Sequence, residues 1–178
     1  MVPRGVAAAA EDPPVKSHRM KLMLAGPSMA GKSSLLASMI AGSSTLTAVD
    51  ERTIGLEIHK LWLHDPLGRA PHGIELTGFD AGGHDEYQDV QQLFFTTCVC
   101  VLLWDVSKPG PDVIDKAAAF NELVEALMRW VTSIQACTPG SKILLVASHA
   151  DKCSSTEICA RRCSIVSQRL HAKVREER

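Results

Sequence analysis

The sequence has almost no net charge. Its 19 Lys and Arg stand against 20 Asp and Glu, leaving −1 over 178 residues. Without a basic surplus there is no electrostatic case for nucleic acid as the main partner. No apolar run approaches the ~20 residues of a membrane helix, so no membrane segment is expected. The opening residues carry Pro3, Pro13, Pro14 and four consecutive alanines, with no apolar stretch long enough for a signal peptide. Residues 1–17 read as a disordered lead-in, and cytoplasm is the expected location. No internal repeat is visible. None of the six cysteines forms a C-x-x-C pair. Cys153, Cys159 and Cys163 lie near His171, a combination that could suggest zinc. However, Cys159, Cys163, Val166, Leu170 and Val174 fall on one 3.6-residue stripe, which reads better as the core face of a helix.

What is present is concentrated in residues 26–33, Gly-Pro-Ser-Met-Ala-Gly-Lys-Ser, which match the phosphate-loop pattern G-x-x-x-x-G-K-[ST] throughout. Met20–Ala25 before it is short and apolar, as a buried strand should be. Lys32–Ala41 after it sets Leu35, Leu36, Met39 and Ile40 on one helical face. Gly26 and Gly31 permit backbone angles that turn N–H groups onto phosphate oxygens, and the following helix aims its positive end at the same point. Lys32 is placed to reach the β- and γ-phosphates, and the Ser33 hydroxyl to ligate Mg²⁺. The remaining loop residues Ser28, Met29 and Ala30, with Ser34 in the first helical turn, complete the expected phosphate contacts.

The later chain alternates strands and helices. Strands are expected at Thr53–Leu63, Ile74–Phe79, Cys98–Val106 and Lys142–Ser148. Helices are expected over 85–97, from a cap at Asp112 to Pro139-Gly140, and from a Ser154/Glu157 capping box toward the C-terminus. The connection between the second and third strands is too short for a helical crossover, so that pair should be antiparallel. The fold class is therefore α/β: a three-layer sandwich of the P-loop NTPase type, mostly parallel with one antiparallel strand. Residues 18–178 form one domain, about what this length allows.

Three further stretches address a nucleotide. Asp80, at a strand end, can hold Mg²⁺ through water. Asp80-Ala81-Gly82-Gly83 lets Gly83 offer its N–H to a γ-phosphate, although D-x-x-G alone is most often only a turn. Thr53 can ligate Mg²⁺ when a γ-phosphate is present, or simply open a strand. Ser148-His149-Ala150-Asp151 closes a strand at the end where open α/β sheets bind ligands. A carboxylate there accepts guanine N1–H and the 2-amino group, both missing from adenine. His149 offers a flat face to a base. Asp151 can equally be a helix N-terminal charge.

These residues resemble a Ras-like GTPase, and more closely the Roc domain of Roco proteins, from about Lys21 onward. Gly26–Ser33 resembles the first motif of the family, Thr53-Ile54-Gly55 its switch I, and Asp80–Gly83 the start of its switch II. The most specific stretch is Trp130, Ile134, Ala136, a polar break, and an aliphatic strand ending in Ser148-His149-Ala150-Asp151. It is similar to the Thr-His-x-Asp ending of Roc domains, with Ser148 keeping the hydroxyl. The resemblance implies GTP and GDP with Mg²⁺ as ligands. It also implies partners among protein effectors or adjacent domains, with a homodimer possible. Two departures bear on turnover. His84 follows Gly83 where Ras-like enzymes carry the Gln that orients water, and Ser28 replaces a space-giving glycine. His84 and Lys32 are the catalytic candidates. The resemblance further implies a last strand, base-contacting loop and helix that the chain does not supply, so a C-terminally truncated domain is expected. Three functions compete. They are a switch with slow hydrolysis, an assembly module with little turnover, and a small-molecule kinase or ATPase, for which no Arg-rich lid is found.

Overall fold

The computed structural model describes residues 18–46, 53, 55–65, 67–70, 73–82, 98–108 and 117–176. The expected lead-in 1–17, the 85–97 helix, the Asp112 cap, Gly83 and His84 lie outside the described residues. Among the described residues five strands and three helices follow in this order: β1 (Arg19–Ala25), α1 (Lys32–Ala41), β2 (Leu56–Leu63), β3 (Ile74–Ala81), β4 (Val99–Asp105), α2 (Ala117–Cys137), β5 (Ile143–Ser148) and α3 (Thr156–Glu176). They build one sheet in the order β2-β3-β1-β4-β5. β1 runs parallel to both β3 and β4, and β4 runs parallel to β5. β2 pairs antiparallel with β3, from Leu56↔Ala81 to Leu63↔Ile74. The α/β class and the single antiparallel pair are as the sequence predicts.

Two strand boundaries that bear on the site differ from expectation. β2 begins at Leu56 rather than Thr53, because pairing with β3 starts only there. Thr53 is thereby left outside the ladder. β3 continues through Asp80 to Ala81, so Asp80 is a paired strand residue opposite Glu57.

The central strands β1 and β4 are apolar on both faces because helices cover both. On one face Met23, Cys100, Leu102 and Trp104 pack with Phe120, Val124, Leu127 and Ile134 of α2 and with Val166 and Leu170 of α3. On the other, Leu22, Leu24, Val101 and Leu103 meet Leu36 of α1 and Leu61 and Leu76. Cys159 and Cys163 pack against the first core as partly buried residues, and the six cysteines are free thiols. α3 starts one residue later than its capping signature suggests. Ser155, not Ser154, accepts the N–H of Ile158 at 3.2 Å, and the Ser155 side chain also helps hold the Glu157 carboxyl below its usual range, after that residue's own backbone N–H.

This parallel order has one consequence for function. The C-terminal ends of β1, β3, β4 and β5 all reach the same edge of the sheet, and they deliver Gly26, Asp80, Asp105 and Ser148 to it.

Candidate functional site

The loop between β1 and α1 is shaped by close approach and by positive backbone angles. Gly26 has φ +132°, and a Cβ built there would stand 2.2 Å from the carbonyl oxygen of Leu103. Only glycine lets the chain leave β1 while lying this close to β4. Gly31 has φ +83° and is the N-cap of α1, so the cap residue brings no side chain to the helix start, and the first turn holds no acidic residue. A cap residue without a side-chain acceptor leaves the positive end of α1 turned toward the loop, as an anion site at a helix N-terminus requires. Met29 also adopts a left-handed conformation, at φ 64°. Such strain in a non-glycine residue concentrates at functional sites. Ser28 is half-buried, Met29 exposed and Ala30 buried; Ser34 uses its carbonyl for the Ser38 hydroxyl.

Lys32 is buried, and its Nζ donates to the carbonyl oxygens of Gly26 and Pro27, each at 3.0 Å. Burial pushes its pKa down from 10.5 to about 8, partly opposed by the Asp80 carboxylate. The ammonium therefore sits at a place short of negative charge, where an anion would relieve its desolvation.

Ser33, Thr53 and Asp80 come from three separate segments and meet. Ser33 Oγ lies 2.9 Å from Thr53 Oγ1, which donates to Asp80 Oδ2 at 3.1 Å. The Gly82 N–H bonds the Gly55 carbonyl at 2.9 Å and ties the segment carrying Thr53 to the end of β3. Asp80 is buried, yet among the described residues its Oδ1 has no hydrogen-bond partner. An unsatisfied buried carboxylate oxygen is costly. Two hydroxyls and a carboxylate form an all-oxygen donor set of the kind a hard divalent cation takes. The residues present therefore fit Mg²⁺.

The base-side candidates lie at the end of β5. Asp151 sits on a single 3₁₀ turn, Ala150–Lys152, and is exposed. His149, at φ 57°, is the left-handed residue that starts this turn. A Cβ on Gly31 would lie 3.7 Å from Ser148 Cβ and 3.8 Å from His149 Cε1. The end of β5 therefore lies beside the phosphate loop, close enough that a side chain on Gly31 would touch it, although more than a hundred residues separate them. Ser148 Oγ reaches the Trp104 carbonyl at 3.0 Å and His149 Nδ1 at 3.0 Å.

Two residues that sequence reasoning passed over belong to this edge. Asp105, at the end of β4, accepts the Ser107 N–H and hydroxyl on Oδ1 at 2.9 and 2.6 Å, and the same oxygen stands 3.8 Å from His149 Nδ1. The signal for it was an acidic residue closing an otherwise apolar strand. Arg162 is buried on α3 and donates from Nη1 to the Val106 carbonyl at 2.9 Å, anchoring α3 to the turn after β4. Nothing in its local pattern marks it, because it lies one step off the Cys159–Val174 stripe.

A family model described as Ras of Complex, Roc, domain of DAPkinase matches residues 21–151. Among known proteins, the mouse (Mus musculus) leucine-rich repeat serine/threonine-protein kinase 1 is 31% identical over 139 residues. That alignment takes in 76% of this chain but 6% of the relative, so the chain spans a small part of that relative's length.

Proposed function

The chain belongs to the Roc family, and from that premise we propose that it is a GTP-binding switch domain with slow hydrolysis, working within a larger Roco-type signalling or scaffold chain. The observation that carries the reading is the meeting of the phosphate loop, the Ser33–Thr53–Asp80 oxygens and the Ser148–Asp151 turn at one edge of the sheet. In this reading the loop N–H groups and Lys32 hold the phosphates. Ser33, Thr53 and Asp80 hold the cation. Asp151 accepts the two guanine donors, and His149 packs beside the base. Mg²⁺, when bound, neutralises charge on the β- and γ-phosphate oxygens. Gly83 and His84 complete the γ-phosphate side, Gly83 by its N–H and His84 by positioning water. The output is an ordering of the Thr53 segment and the Gly83 loop by the γ-phosphate, which effectors or neighbouring domains read. A homodimer is one form such assembly could take.

A second reading is an assembly module that binds guanine nucleotide with little turnover. It is favoured by His84 in place of a glutamine and by Ser28 beside the γ-phosphate position. Titration with fluorescent GDP and GTP, with and without Mg²⁺ and with ATP as competitor, tests both readings. Guanine-selective, Mg²⁺-strengthened binding is expected, and equal competition by ATP would reject it. Single-turnover hydrolysis of bound GTP then separates the switch from the module.

A further inference from the structure

Ser148 has one hydroxyl proton and two neighbours. Its Oγ lies 3.0 Å from the Trp104 carbonyl oxygen and 3.0 Å from His149 Nδ1. A carbonyl oxygen can only accept, so the hydroxyl proton goes to Trp104. The Ser148 lone pair then has to be met by a proton on His149 Nδ1. A second, independent observation points the same way. Asp105 Oδ1 stands 3.8 Å from Nδ1, where a carboxylate is attracted to an N–H and repelled by a ring lone pair. That oxygen is itself fixed by the N–H and hydroxyl of Ser107. Asp105 and Ser148 are cross-strand partners in the β4–β5 register, so the rigid sheet sets both groups relative to the ring.

We propose that Ser148 and Asp105 are positioning residues that hold His149 as the Nδ1–H tautomer, at a fixed angle against Gly31 of the phosphate loop. Nε2 is then left as the hydrogen-bond acceptor of the ring. The left-handed backbone of His149 has its compensation in this arrangement, because the ring cannot reach Ser148 and Gly31 together from an arbitrary backbone. The consequence for ligand rests on the reading above: the imidazole is a preset wall of the base pocket rather than a free surface side chain. A serine in place of the threonine of the Thr-His-x-Asp ending still performs the task, because a single hydroxyl bridges Trp104 and the ring. The nucleotide class that gains is guanine, since the same turn carries Asp151.

The test is imidazole nitrogen NMR on the ¹⁵N-histidine-labelled 178-residue chain, with GDP affinity measured in parallel. The wild-type His149 ring should show a protonated Nδ1 and a pyridine-like Nε2. Ser148→Thr should preserve both the ring spectrum and the affinity. Ser148→Ala should move the ring toward the Nε2–H form and weaken GDP binding about three- to tenfold, the range for one lost hydrogen bond. Asp105→Asn keeps an acceptor for Ser107 but removes the charge, and it should shift the ring partway. A wild-type ring protonated on Nε2, or a ring unmoved by Ser148→Ala, overturns the positioning whether or not nucleotide binds. A ring that behaves as stated in a chain that binds no guanine nucleotide supports the positioning and overturns the reading of the previous subsection.

Discussion

Lys32 Nζ donates to the carbonyl oxygen of Gly26 at 3.0 Å, so the buried ammonium is folded back onto the loop that carries it. It takes a neutral acceptor in a place built for an anion. That mismatch gives the charge a measurable signature in the protein before any ligand arrives.

The first prediction follows from the lowered pKa of Lys32, about 8 against 10.5 in an unfolded chain. Between these values the unfolded chain binds more protons at this residue than the folded one, so this contribution to stability rises with pH across the window and is constant below it. Lys32→Met removes the titration. The unfolding free energy of wild type minus variant should rise by on the order of 3 kcal/mol from the lower to the upper value, read from urea melts at stepped pH. A bound polyphosphate reverses the bias by favouring the ammonium. Nucleotide affinity should therefore fall as pH climbs past the lower value in wild type, and stay flat in the variant. A stability difference independent of pH would contradict the assignment.

The second prediction concerns the exit from β1. Gly26→Ala places a methyl 2.2 Å from the Leu103 carbonyl oxygen at φ +132°. The obstacle is backbone of a central strand and cannot rotate away. The substitution should cost about 2–4 kcal/mol through overpacking and strain together, and should open the phosphate loop. Gly42→Ala has open space around its Cβ and is the control, with only the cost of its helix-ending backbone conformation. Equal melting temperatures for the two variants would show that Gly26 is not a packing glycine.

Asp151 carries the third prediction. It is exposed on the turn after β5, where its carboxylate is free to accept two donors from a purine edge. Asp151→Asn turns one acceptor into a donor. Affinity for guanine nucleotides should fall about ten- to a hundredfold, the range for losing hydrogen bonds to a charged group. Xanthine nucleotides, with an acceptor at O2, should gain. Competition titrations with GDP, XDP and ADP measure this, and an unchanged order of preference would remove Asp151 from base recognition.

The phosphate loop could be read from the chain because its residue types, spacing and flanking strand and helix are all local. The antiparallel pair could be read because the 64–73 connection is too short to cross the sheet. What the sequence could not give is distance between segments. Thr53 was legible as a hydroxyl near a strand start, but its bonds to Ser33 and Asp80 arise only when β2 folds back on β3. Asp105 was passed over because one carboxylate after an apolar run carries no spacing signal. Its meaning comes from the β4–β5 register, which sets it opposite Ser148. Arg162 was obscured for another reason. A helix stripe of Cys, Val and Leu was a sufficient core by periodicity, and a buried guanidinium beside it becomes reasonable only with the Val106 carbonyl in place. The capping signature failed by one residue because Ser154 and Ser155 are chemically equal and the entry angle of the chain decides between them.

The last prediction concerns the outer edge of the sheet. β5 ends the strand order, and among the described residues no strand pairs with its outer side. Its sequence, Ile143 to Ser148, has no charge and no proline, the two features that usually blunt an exposed edge. Leu144 is 54% exposed on it. Such a strand is a template for adding another, and the 178-residue chain should self-associate through it as concentration rises. Leu144→Lys puts a charge on the edge where the wild-type side chain is already half in water, so the cost to folding should stay within about 0.5 kcal/mol. The variant should keep the wild-type melting temperature and scatter less light at high concentration. Leu145→Lys would bury the charge among the residues packed against α2 and α3 and should destabilise the fold, which separates an edge effect from a general gain in solubility. If Leu144→Lys associates as strongly as wild type, the contact lies elsewhere on the molecule.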